Sequence, residues 1–260
     1  MRWMDNRGVR YLQFPSLVSV PGVWHGIFTR WAYNDDGSRA ALNIGLNNGD
    51  PQGQVQASRH RMLDVAGGQT AIFARQVHGA DVAIWDRAPE VQSLRPTPSA
   101  ALSGDALVTA VADSALVIQT ADCQSVLMVD PQQRVVANVH AGWRGSIQNV
   151  VGRTVQTMVE RYHCNPDGLI CGVGPSLGPC CAEFVHYRQE IPEIYWSYRL
   201  PGDYFDFWRI TQDQLVAAGV PRKQVAVSGM CTRCNPGLFF SHRGEGPGTG
   251  RFAAVIRLTA

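Results

Sequence analysis

The sequence lacks any long apolar run. No stretch approaches the roughly 20 consecutive apolar residues that a membrane-spanning helix requires. The opening segment, MRWMDNRGVRYLQFPSLVSV, contains no continuous apolar stretch of signal-peptide length. We therefore predict a soluble, cytoplasmic protein with no membrane partner.

Charge is scarce and almost balanced. Charged residues make up 17% of the 260 positions, and 23 basic against 21 acidic side chains leave a formal net charge of +2. No cluster of basic residues stands out, so we expect no nucleic-acid partner. Apolar residues make up 45%, which is typical of a globular protein with a large core. The length is long for one domain and short for two.

The cysteines are odd in number, which in the absence of a signal peptide favours reduced thiols over a disulfide framework. The segment CTRC places Cys231 and Cys234 at the Cys-x-x-Cys spacing of a redox or zinc pair. The sequence contains no second Cys-x-x-Cys, and Cys180 and Cys181 are adjacent, so we do not expect a zinc ribbon. We interpret these four cysteines mainly as packing groups around glycine-rich turns, with a redox role as the alternative.

Short β-rich segments dominate the chain. Strands are predicted at residues 105–110, 115–121, 125–130 and 134–139, and within GLICGVG, QVAVSGM and FAAVIRL. Helical spacing of apolar residues predicts an amphipathic helix over 146–162 and a weaker one over 54–65. The Pro- and Ser-rich segment 88–104 is predicted to be a linker or long loop, and the glycine-rich segment 241–251 to be irregular. This order predicts an α/β or mixed α+β domain, with a mixed β-sheet flanked by helices.

The segment VVANVHAGWRGS, residues 135–146, ends a predicted strand on a histidine. Ligands of α/β sheets bind at the carboxyl ends of strands, where His140 is predicted to lie. The helix that follows would present free N–H groups to an anion, and Arg144 adds a full positive charge. Gly142 and Gly145 allow the backbone to approach another group closely. The segment predicts a binding site, although a capped strand with a solvent-facing arginine would have the same pattern.

Two other segments interrupt apolar runs with chemically active residues. His78 lies in ARQVHGADV, and Cys123, preceded by Asp122, lies between two predicted strands. Each alone is more often a core residue, but two imidazoles and a thiolate together are a common ligand set for a divalent metal. Three protein ligands leave a fourth tetrahedral position open, which is the pattern of catalytic zinc. We therefore predict a Zn²⁺ site formed by His78, Cys123 and His140.

Several motifs together resemble the YfiH-like family, also called laccase-domain or multicopper polyphenol oxidase proteins. They are RQVHGADV, DALVT, TADCQSVLMVDPQQRVVANVHAGWRGS, GVGPSLGPCCAEF, CTRCNPGLFFSHRG and TGR. IFTRWAYND and LNIGLNNGD are similar to family motifs as well, so the resemblance spans residues 26–257. It implies a single domain over 1–260, with a mixed sheet similar to the catalytic fold of deamidating bacterial toxins. It also implies zinc bound by His78, Cys123 and His140.

The resemblance implies purine nucleoside phosphorylase, methylthioadenosine phosphorylase and adenosine deaminase activities. We therefore predict that phosphate and a purine nucleoside are the small-molecule partners of a monomer or homodimer. Phosphate favours arginine and N–H donors, which makes Arg30, Arg144 and Arg251 candidate substrate-binding residues. Asn43 is a candidate for binding a ribose hydroxyl or a base edge. Asp122 would move a proton or orient a ligand, and it completes the predicted catalytic set with the three metal ligands.

Two other activities use the same residues. With Cys123 as nucleophile and His140 as base, the protein would be a Cys-His hydrolase. The family includes peptidoglycan editing factors, which remove a misincorporated L-serine from a muramyl precursor. A blue-copper centre also uses two histidines and a cysteine. A laccase needs a trinuclear copper cluster in addition, and only five of the seven histidines remain for it. We therefore favour zinc over copper.

The sequence departs from the family pattern at three places. Trp31 and the two residues after it replace a Gly-Gly turn, Ser125 stands where proline is common, and SHRG, residues 241–244, replaces SYRR. The predicted metal ligands are retained. We therefore expect the departures near Trp31 and His242 to bear on the choice of nucleoside rather than on the metal.

Overall fold

The computed structural model describes residues 1–34, 36–46, 48–86 and 98–260. In chain order the strands are β1 (Arg2–Asn6), β2 (Val9–Gln13), β3 (Val23–Tyr33), β4 (Arg39–Ala41), β5 (Thr70–Arg75), β6 (Val82–Trp85), β7 (Pro98–Ser103), β8 (Ala106–Thr109), β9 (Ser114–Thr120), β10 (Gln124–Asp130), β11 (Val135–Ala141), β12 (Ile170–Val173), β13 (Arg199–Leu200), β14 (Tyr204–Phe205), β15 (Val225–Val227) and β16 (Phe252–Leu258). The helices are α1 (Pro15–Val18), α2 (Gln52–Ala66), α3 (Trp143–Ile147), α4 (Val150–Tyr162), α5 (Tyr187–Glu190), α6 (Phe207–Ala217) and α7 (His242–Glu245). Short 3₁₀ segments span Pro166–Gly168, Glu193–Tyr198 and Arg222–Gln224.

The strands form two large sheets and a small ribbon. The first sheet has the order β1-β2-β3-β16-β9-β5-β7, with β4 also paired to β3. The second sheet has the order β15-β12-β10-β11-β8-β6, and β13 pairs with β14. Most neighbours are antiparallel, whereas β5 is parallel to β7 and β9, β6 to β8, and β12 to β15. The mixed sheets with flanking helices confirm the predicted fold class.

The two sheets pack face to face because their central strands are apolar on both sides. In β9, Leu116 and Ile118 belong to the core between the sheets, while Ala115 and Val117 pack in the cluster that contains residues of α2. In β11, Val136 faces the core between the sheets, while Ala137 and Val139 pack in the cluster that contains residues of α4 and α6. The layers are therefore α2, the first sheet, the second sheet, and α4 with α6. Burial on both faces explains why these strands are almost continuously apolar in sequence.

A buried amide joins the two sheets close to the end of β11. The Asn138 side chain donates from Nδ2 to the carbonyl oxygens of Leu116 (2.9 Å) and Ala254 (2.8 Å). Asn138 belongs to the second sheet and both acceptors belong to the first, and Asn138 is fully buried. The two hydrogen bonds therefore hold the sheets in a defined alignment two residues before His140.

Some predicted elements differ from those observed. The helix predicted over 146–162 is divided into α3 and α4, because Asn149 has a left-handed backbone (φ 59°) and its side chain accepts a hydrogen bond from the Gly152 N–H. In the predicted linker 88–104, residues 98–103 form β7, and residues 88–97 lie outside the described residues. The segment 241–251 is irregular except for α7. The other predicted strands and the helix α2 are confirmed within a few residues.

None of the helices in the described part of the chain combines the length and the apolar character needed to cross a bilayer.

Candidate metal and substrate site

The pairing of the strands brings the three predicted metal ligands together. Strands β5 and β9 are parallel neighbours, so the loops after their carboxyl ends, which carry His78 and Cys123, lie side by side. Strands β10 and β11 are antiparallel with Ser125 opposite His140, which places the end of β11 beside Cys123. As a result, the donor atoms of His78, Cys123 and His140 all lie within 4.8 Å of one another. We refer to these three residues as the metal triad.

The metal triad fits a bound ion. A thiolate and two imidazole nitrogens are good ligands for Zn²⁺, and copper accepts the same set. A Cβ atom at Gly142 would lie 3.1 Å from Cys123 Sγ and 3.1 Å from His78 Cδ2, so the missing side chain keeps the space beside the triad open. His78 is exposed, Cys123 is half-buried and His140 is buried, which leaves one side of the triad accessible to solvent. The structure therefore supports a metal site with an accessible side.

The buried carboxylate of Asp105 organises the triad. Its Oδ1 lies 2.8 Å from Nδ1 of His140 and accepts a hydrogen bond from the His78 N–H (2.9 Å), and its Oδ2 accepts one from the Gly79 N–H (2.7 Å). These bonds hold His78 in a left-handed conformation, φ 60°, that is uncommon for residues other than glycine. If Nδ1–H of His140 donates to Asp105, Nε2 carries the lone pair that a metal needs.

The electrostatics at the triad favour a thiolate. Burial raises the pKa of Cys123, but the neighbouring His140 and His78 outweigh it and bring the pKa down to about 6. Burial lowers the pKa of His140, whereas the negative charges of Cys123 and Asp105 raise it, to about 9. A thiolate beside an imidazolium suits two kinds of chemistry. A metal can displace the imidazolium proton and bind both groups, or the thiolate can act as a nucleophile.

The metal triad lines a cavity of about 640 Å³, which is within the range of small-molecule sites. The cavity combines flat apolar surface with positive charge. Its aromatic residues include Trp143, Phe184 and Phe207, and its arginines are Arg144, Arg243 and Arg251. The ring of Phe184 packs edge-on against Trp143 with centroids 5.9 Å apart. Such a cavity can take a ligand with a planar aromatic part and an anionic part.

Two of the predicted substrate-binding residues line this cavity. Arg144 is exposed in the first turn of α3, and its guanidinium lies 4.3 Å from the centroid of the Trp143 ring. Arg251 is half-buried, and its Nη1 donates to the carbonyl oxygens of the two preceding residues. Because α3 has only five residues, its N-terminus contributes less to anion binding than the predicted long helix would.

Arg30 and Asn43 are not among the residues that line the cavity. Arg30 forms an ion pair with Glu245 and donates to the Pro236 carbonyl oxygen (2.8 Å). Its guanidinium therefore connects α7 with the loop that contains Pro236. Asn43 is buried, and its Oδ1 accepts a hydrogen bond from the Arg251 N–H (2.8 Å). Asn43 therefore supports the backbone of Arg251.

Asp122 lines the cavity, but its carboxylate is committed to hydrogen bonds. Its Oδ1 accepts from the hydroxyls of Thr232 (2.6 Å) and Ser241 (2.7 Å), and its Oδ2 accepts from the Arg243 N–H (2.6 Å). The backbone of Asp122 is strained, with φ 92°. These contacts favour the predicted orienting role of Asp122 over that of a proton carrier.

Sequence reasoning missed several residues of the site. Asp105 opens the motif DALVT, and a carboxylate directly before the mostly apolar strand ALVT was the available signal. Gln76 and Gln119 also line the cavity. The Gln76 side chain donates from Nε2 to the Gln119 carbonyl oxygen (2.8 Å), and its Oε1 accepts from the Gln119 N–H (2.9 Å). Residues 182–186 of the loop after Cys181 line the cavity as well. That loop comes from a distant part of the chain, and nothing in its local sequence indicates where it packs.

Comparison with known proteins identifies a matching family and several relatives of this chain. A model of the family described as multi-copper polyphenol oxidoreductase laccase matches residues 24–259. The purine nucleoside phosphorylase YlmD of Geobacillus stearothermophilus is 32% identical over 246 residues, which cover 90% of each chain. Its crystal structure superposes with a TM-score of 0.81 at 30% identity, over 99% of this chain and 98% of that one.

Two further proteins are similar to this chain. Adenosine deaminase RL5, from an unknown prokaryotic organism, is 30% identical over 199 residues, which cover 72% of this chain and 74% of RL5. The crystal structure of the hypothetical protein YfiH of Bacillus licheniformis gives a TM-score of 0.81 at 25% identity, and the match covers 99% of each chain.

Proposed function

This chain belongs to the YfiH-like, laccase-domain family, and we propose that it is a zinc-dependent purine nucleoside phosphorylase that also deaminates adenosine. One observation carries the proposal. The metal triad lies in a cavity whose surface is aromatic in one part and rich in arginine in another. A purine base requires the aromatic surface, and phosphate requires the arginine-rich surface. The similarity to proteins named for these two activities points to the same substrates.

Zinc suits this site better than copper. Bound by His78, Cys123 and His140, zinc would supply a Lewis acid that polarises a substrate oxygen or activates a water molecule. A laccase needs a further cluster of three copper ions held by histidines. In the described part of the chain, the two groups of residues that could hold a metal contain only His78 and His140 as histidines. The small number of histidines in these two groups therefore favours a zinc enzyme over an oxidase with a full copper set.

In phosphorolysis, the bond between ribose C1′ and the purine nitrogen breaks, and a phosphate oxygen forms a new bond to C1′. The proton that hydrogen phosphate loses is the one that the purine gains, so the reaction is balanced. In our proposal Arg144 and Arg251 bind the phosphate through charge-assisted hydrogen bonds. Phe184 and Trp143 pack against the purine ring, and Asp122 holds the surrounding loops in place.

A Cys-His hydrolase is the second candidate, and one observation favours it. Burial raises the pKa of Cys123, but the neighbouring His140 lowers it, and the result is a pKa of about 6. The ring of His140 is in turn oriented by Asp105. This arrangement of thiolate, imidazole and carboxylate is that of a cysteine nucleophile. In that case Cys123 would attack the amide carbonyl carbon of a muramyl precursor and form a thioester as L-serine leaves. Water would then hydrolyse the thioester and restore the thiol, and the reaction would need no metal.

The test is a product analysis with protein whose metal content has been measured. We expect free purine base from adenosine, inosine, guanosine or S-methyl-5′-thioadenosine only when phosphate is present, and inosine from adenosine with or without phosphate. Chelation of the metal should abolish both reactions. Serine release that survives chelation, with no reaction on any nucleoside, would replace this proposal with the hydrolase.

The proposal also includes a cytoplasmic location, a monomer or homodimer, and one domain over residues 1–260. Reduced thiols support the location, because thiols persist in the reducing cytoplasm. Cys123 would be lost as a ligand if it were oxidised.

A further inference from the structure

Four cysteines outside the metal triad converge on one point. The Sγ atoms of Cys180, Cys181, Cys231 and Cys234 all lie within 4.8 Å of one another. Cys234 Sγ is 3.6 Å from the Sγ atoms of both Cys180 and Cys181. The sequence predicted packing groups here, because it contains no second Cys-x-x-Cys and because Cys180 and Cys181 are adjacent. We refer to the four residues as the thiol cluster.

We propose that the thiol cluster binds one zinc ion in a tetrahedral four-cysteine site that holds the wall of the substrate cavity. In such a site Zn–S bonds of about 2.3 Å place neighbouring sulfurs about 3.8 Å apart. The observed 3.6 Å distances are close to this value and far from the roughly 2.05 Å of a disulfide bond. Four protein ligands also leave no open position, which is the pattern of structural rather than catalytic zinc.

Backbone N–H groups are directed at one sulfur of the thiol cluster. The N–H groups of Gly178 and Cys234 form hydrogen bonds with Cys231. N–H donors directed at a sulfur stabilise its charged form, which is the form that binds a metal. A Cβ atom at Gly178 would lie 3.0 Å from the Cβ of Cys231, so glycine allows this close approach.

The two segments that carry the cysteines are joined before any metal binds. Ser176 donates from its N–H to the Met230 carbonyl oxygen (3.2 Å) and accepts from the Thr232 N–H (3.0 Å). This bridge fixes the position of Cys231 relative to the segment that leads to Cys180. Because the ligands are already close together, less conformational entropy is lost when the ion binds.

Positive charge near the thiol cluster offsets the charge that the site would carry. Four thiolates and one Zn²⁺ have a net charge of −2. Arg233 lies between the two cysteines of CTRC in sequence, and Arg243 Nη1 donates to the carbonyl oxygens of Cys181 (3.2 Å) and Glu183 (3.1 Å).

The thiol cluster is connected to the cavity on two sides. Cys181 directly precedes residues 182–186, which line the cavity. Cys234 leads towards Ser241 and Arg243, which are hydrogen-bonded to Asp122 beside the metal triad. A zinc ion in the cluster would therefore hold both parts of the wall together. Its loss should loosen substrate binding without removing the metal of the triad.

The test separates the two sites by substitution in the full chain. Protein is purified in reductant with zinc present, desalted, and analysed for metal by mass spectrometry. We expect about two zinc ions per chain in the unmodified protein, one in Cys123→Ala, and one in the double variant Cys231→Ser/Cys234→Ser. Cys171→Ala is the control, because this cysteine is buried in β12 away from both groups, and it should retain both ions.

Cobalt replacement reports the ligands directly. Co²⁺ in Cys123→Ala should give the strong sulfur-to-metal charge-transfer absorption of four thiolates, and Co²⁺ in the double variant only the weaker band of one. If the double variant does not fold, alkylation of Cys123→Ala decides the question, because zinc should protect four thiols that a chelator exposes.

Absence of zinc from Cys123→Ala, or equal alkylation with and without zinc, would overturn the proposal. A disulfide within the thiol cluster in protein isolated without added oxidant would also overturn it, in favour of a redox role. None of these results depends on nucleoside turnover, so failure of the proposed enzyme activity is distinguishable from failure of this site.

Discussion

Among single residues, Asp105 holds two of the three predicted metal ligands, His78 through its backbone and His140 through its ring. In Asp105→Asn the acceptor for His140 Nδ1–H is weakened, and the ring is less well oriented. We expect metal affinity to fall about 10- to 100-fold, which is typical when a hydrogen-bond partner of a metal ligand is lost. Competition with a chelator measures this.

Asp130→Asn is the matched control for Asp105→Asn. Asp130 is also buried, and it accepts backbone hydrogen bonds from the two residues at the turn after β10. An equal loss of metal in both variants would mean that the effect comes from general destabilisation.

The absence of a side chain at Gly142 keeps room for the metal triad. In Gly142→Ala the new methyl group would lie 3.1 Å from Cys123 Sγ and must displace it or His78. We expect metal affinity to fall about tenfold or more, because ligand positions tolerate little movement, with little change in the urea midpoint. Gly53→Ala in α2, where a Cβ meets nothing within 4 Å, should leave metal binding unchanged. Full metal affinity in Gly142→Ala would contradict the proposed crowding.

Arg144 is the predicted phosphate ligand at the start of α3. Loss of a charge-assisted hydrogen bond corresponds to about 1.5–3 kcal/mol, so Arg144→Ala should raise the phosphate KM roughly 10- to 100-fold. Metal content should be unchanged, and deamination, which uses no phosphate, should be much less affected. Arg153→Ala on α4 is the control for the loss of an exposed arginine. Steady-state kinetics of phosphorolysis and of deamination measure these effects. An equal fall in both activities would indicate a structural role for Arg144.

At the scale of elements, the separation of α3 from α4 depends on Asn149, which is left-handed and caps α4. Asn149→Ala loses the cap and places alanine, which tolerates a left-handed backbone less well than asparagine does, at this position, so we expect a loss of about 1–2 kcal/mol in the free energy of unfolding. Asn149→Gly loses only the cap and should cost less. Urea denaturation compares the two. Equal stability of both variants with the unmodified protein would mean that the helices are positioned by packing alone.

The seven strands that were predicted are mostly buried and therefore apolar over most of their length, whereas exposed strands such as β1 and β4 were not predicted. The metal triad was predictable because His78, Cys123 and His140 each interrupt such a run at a strand end. The helix break was not predictable, because Asn149 is compatible with a helix in sequence, and only its positive φ reveals the turn.

Contacts between distant loops could not be predicted in the same way. Arg30 has the same local sequence whether it binds phosphate or pairs with Glu245, and tertiary packing decides between them. The thiol cluster forms through the bridge between Ser176 and Cys231, which no periodicity in either segment indicates. Asp105 had a signal in its position before a strand, but its role depends on the loop that carries His78.

At the scale of the whole molecule, a buried histidine links the stability of the fold to pH. His25 in β3 is fully buried, and its Nε2 accepts a hydrogen bond from the Phe14 N–H (2.8 Å). Burial lowers the pKa of His25 to about 4, whereas the unfolded value is about 6.5. Between these values the unfolded chain binds a proton that the native chain does not. Stability is therefore lost as the pH falls from about 6.5 to 4, by about 3 kcal/mol in total.

We expect His25→Gln to reduce this dependence on pH while keeping an acceptor for the Phe14 N–H. Urea denaturation between pH 7.5 and 4.5, with chelator present throughout, measures the free energy of unfolding for each protein. His60→Gln, on an exposed position of α2, is the control. Parallel curves for His25→Gln and the unmodified protein would contradict the assignment, since the contribution of the metal triad is common to both.

The central position of β16 has a consequence for biosynthesis. Residues 252–258 pair with β3 on one side and with β9 on the other. At translation rates of about 5–20 residues per second, β3 emerges from the ribosome on the order of ten to forty seconds before this partner. Once β9 has also emerged, the nascent chain carries two unfinished half-sheets with open edges, which are templates for pairing with other chains. We therefore expect the inner edges of β3 and β9 to stay open until β16 arrives, which closes both edges at once.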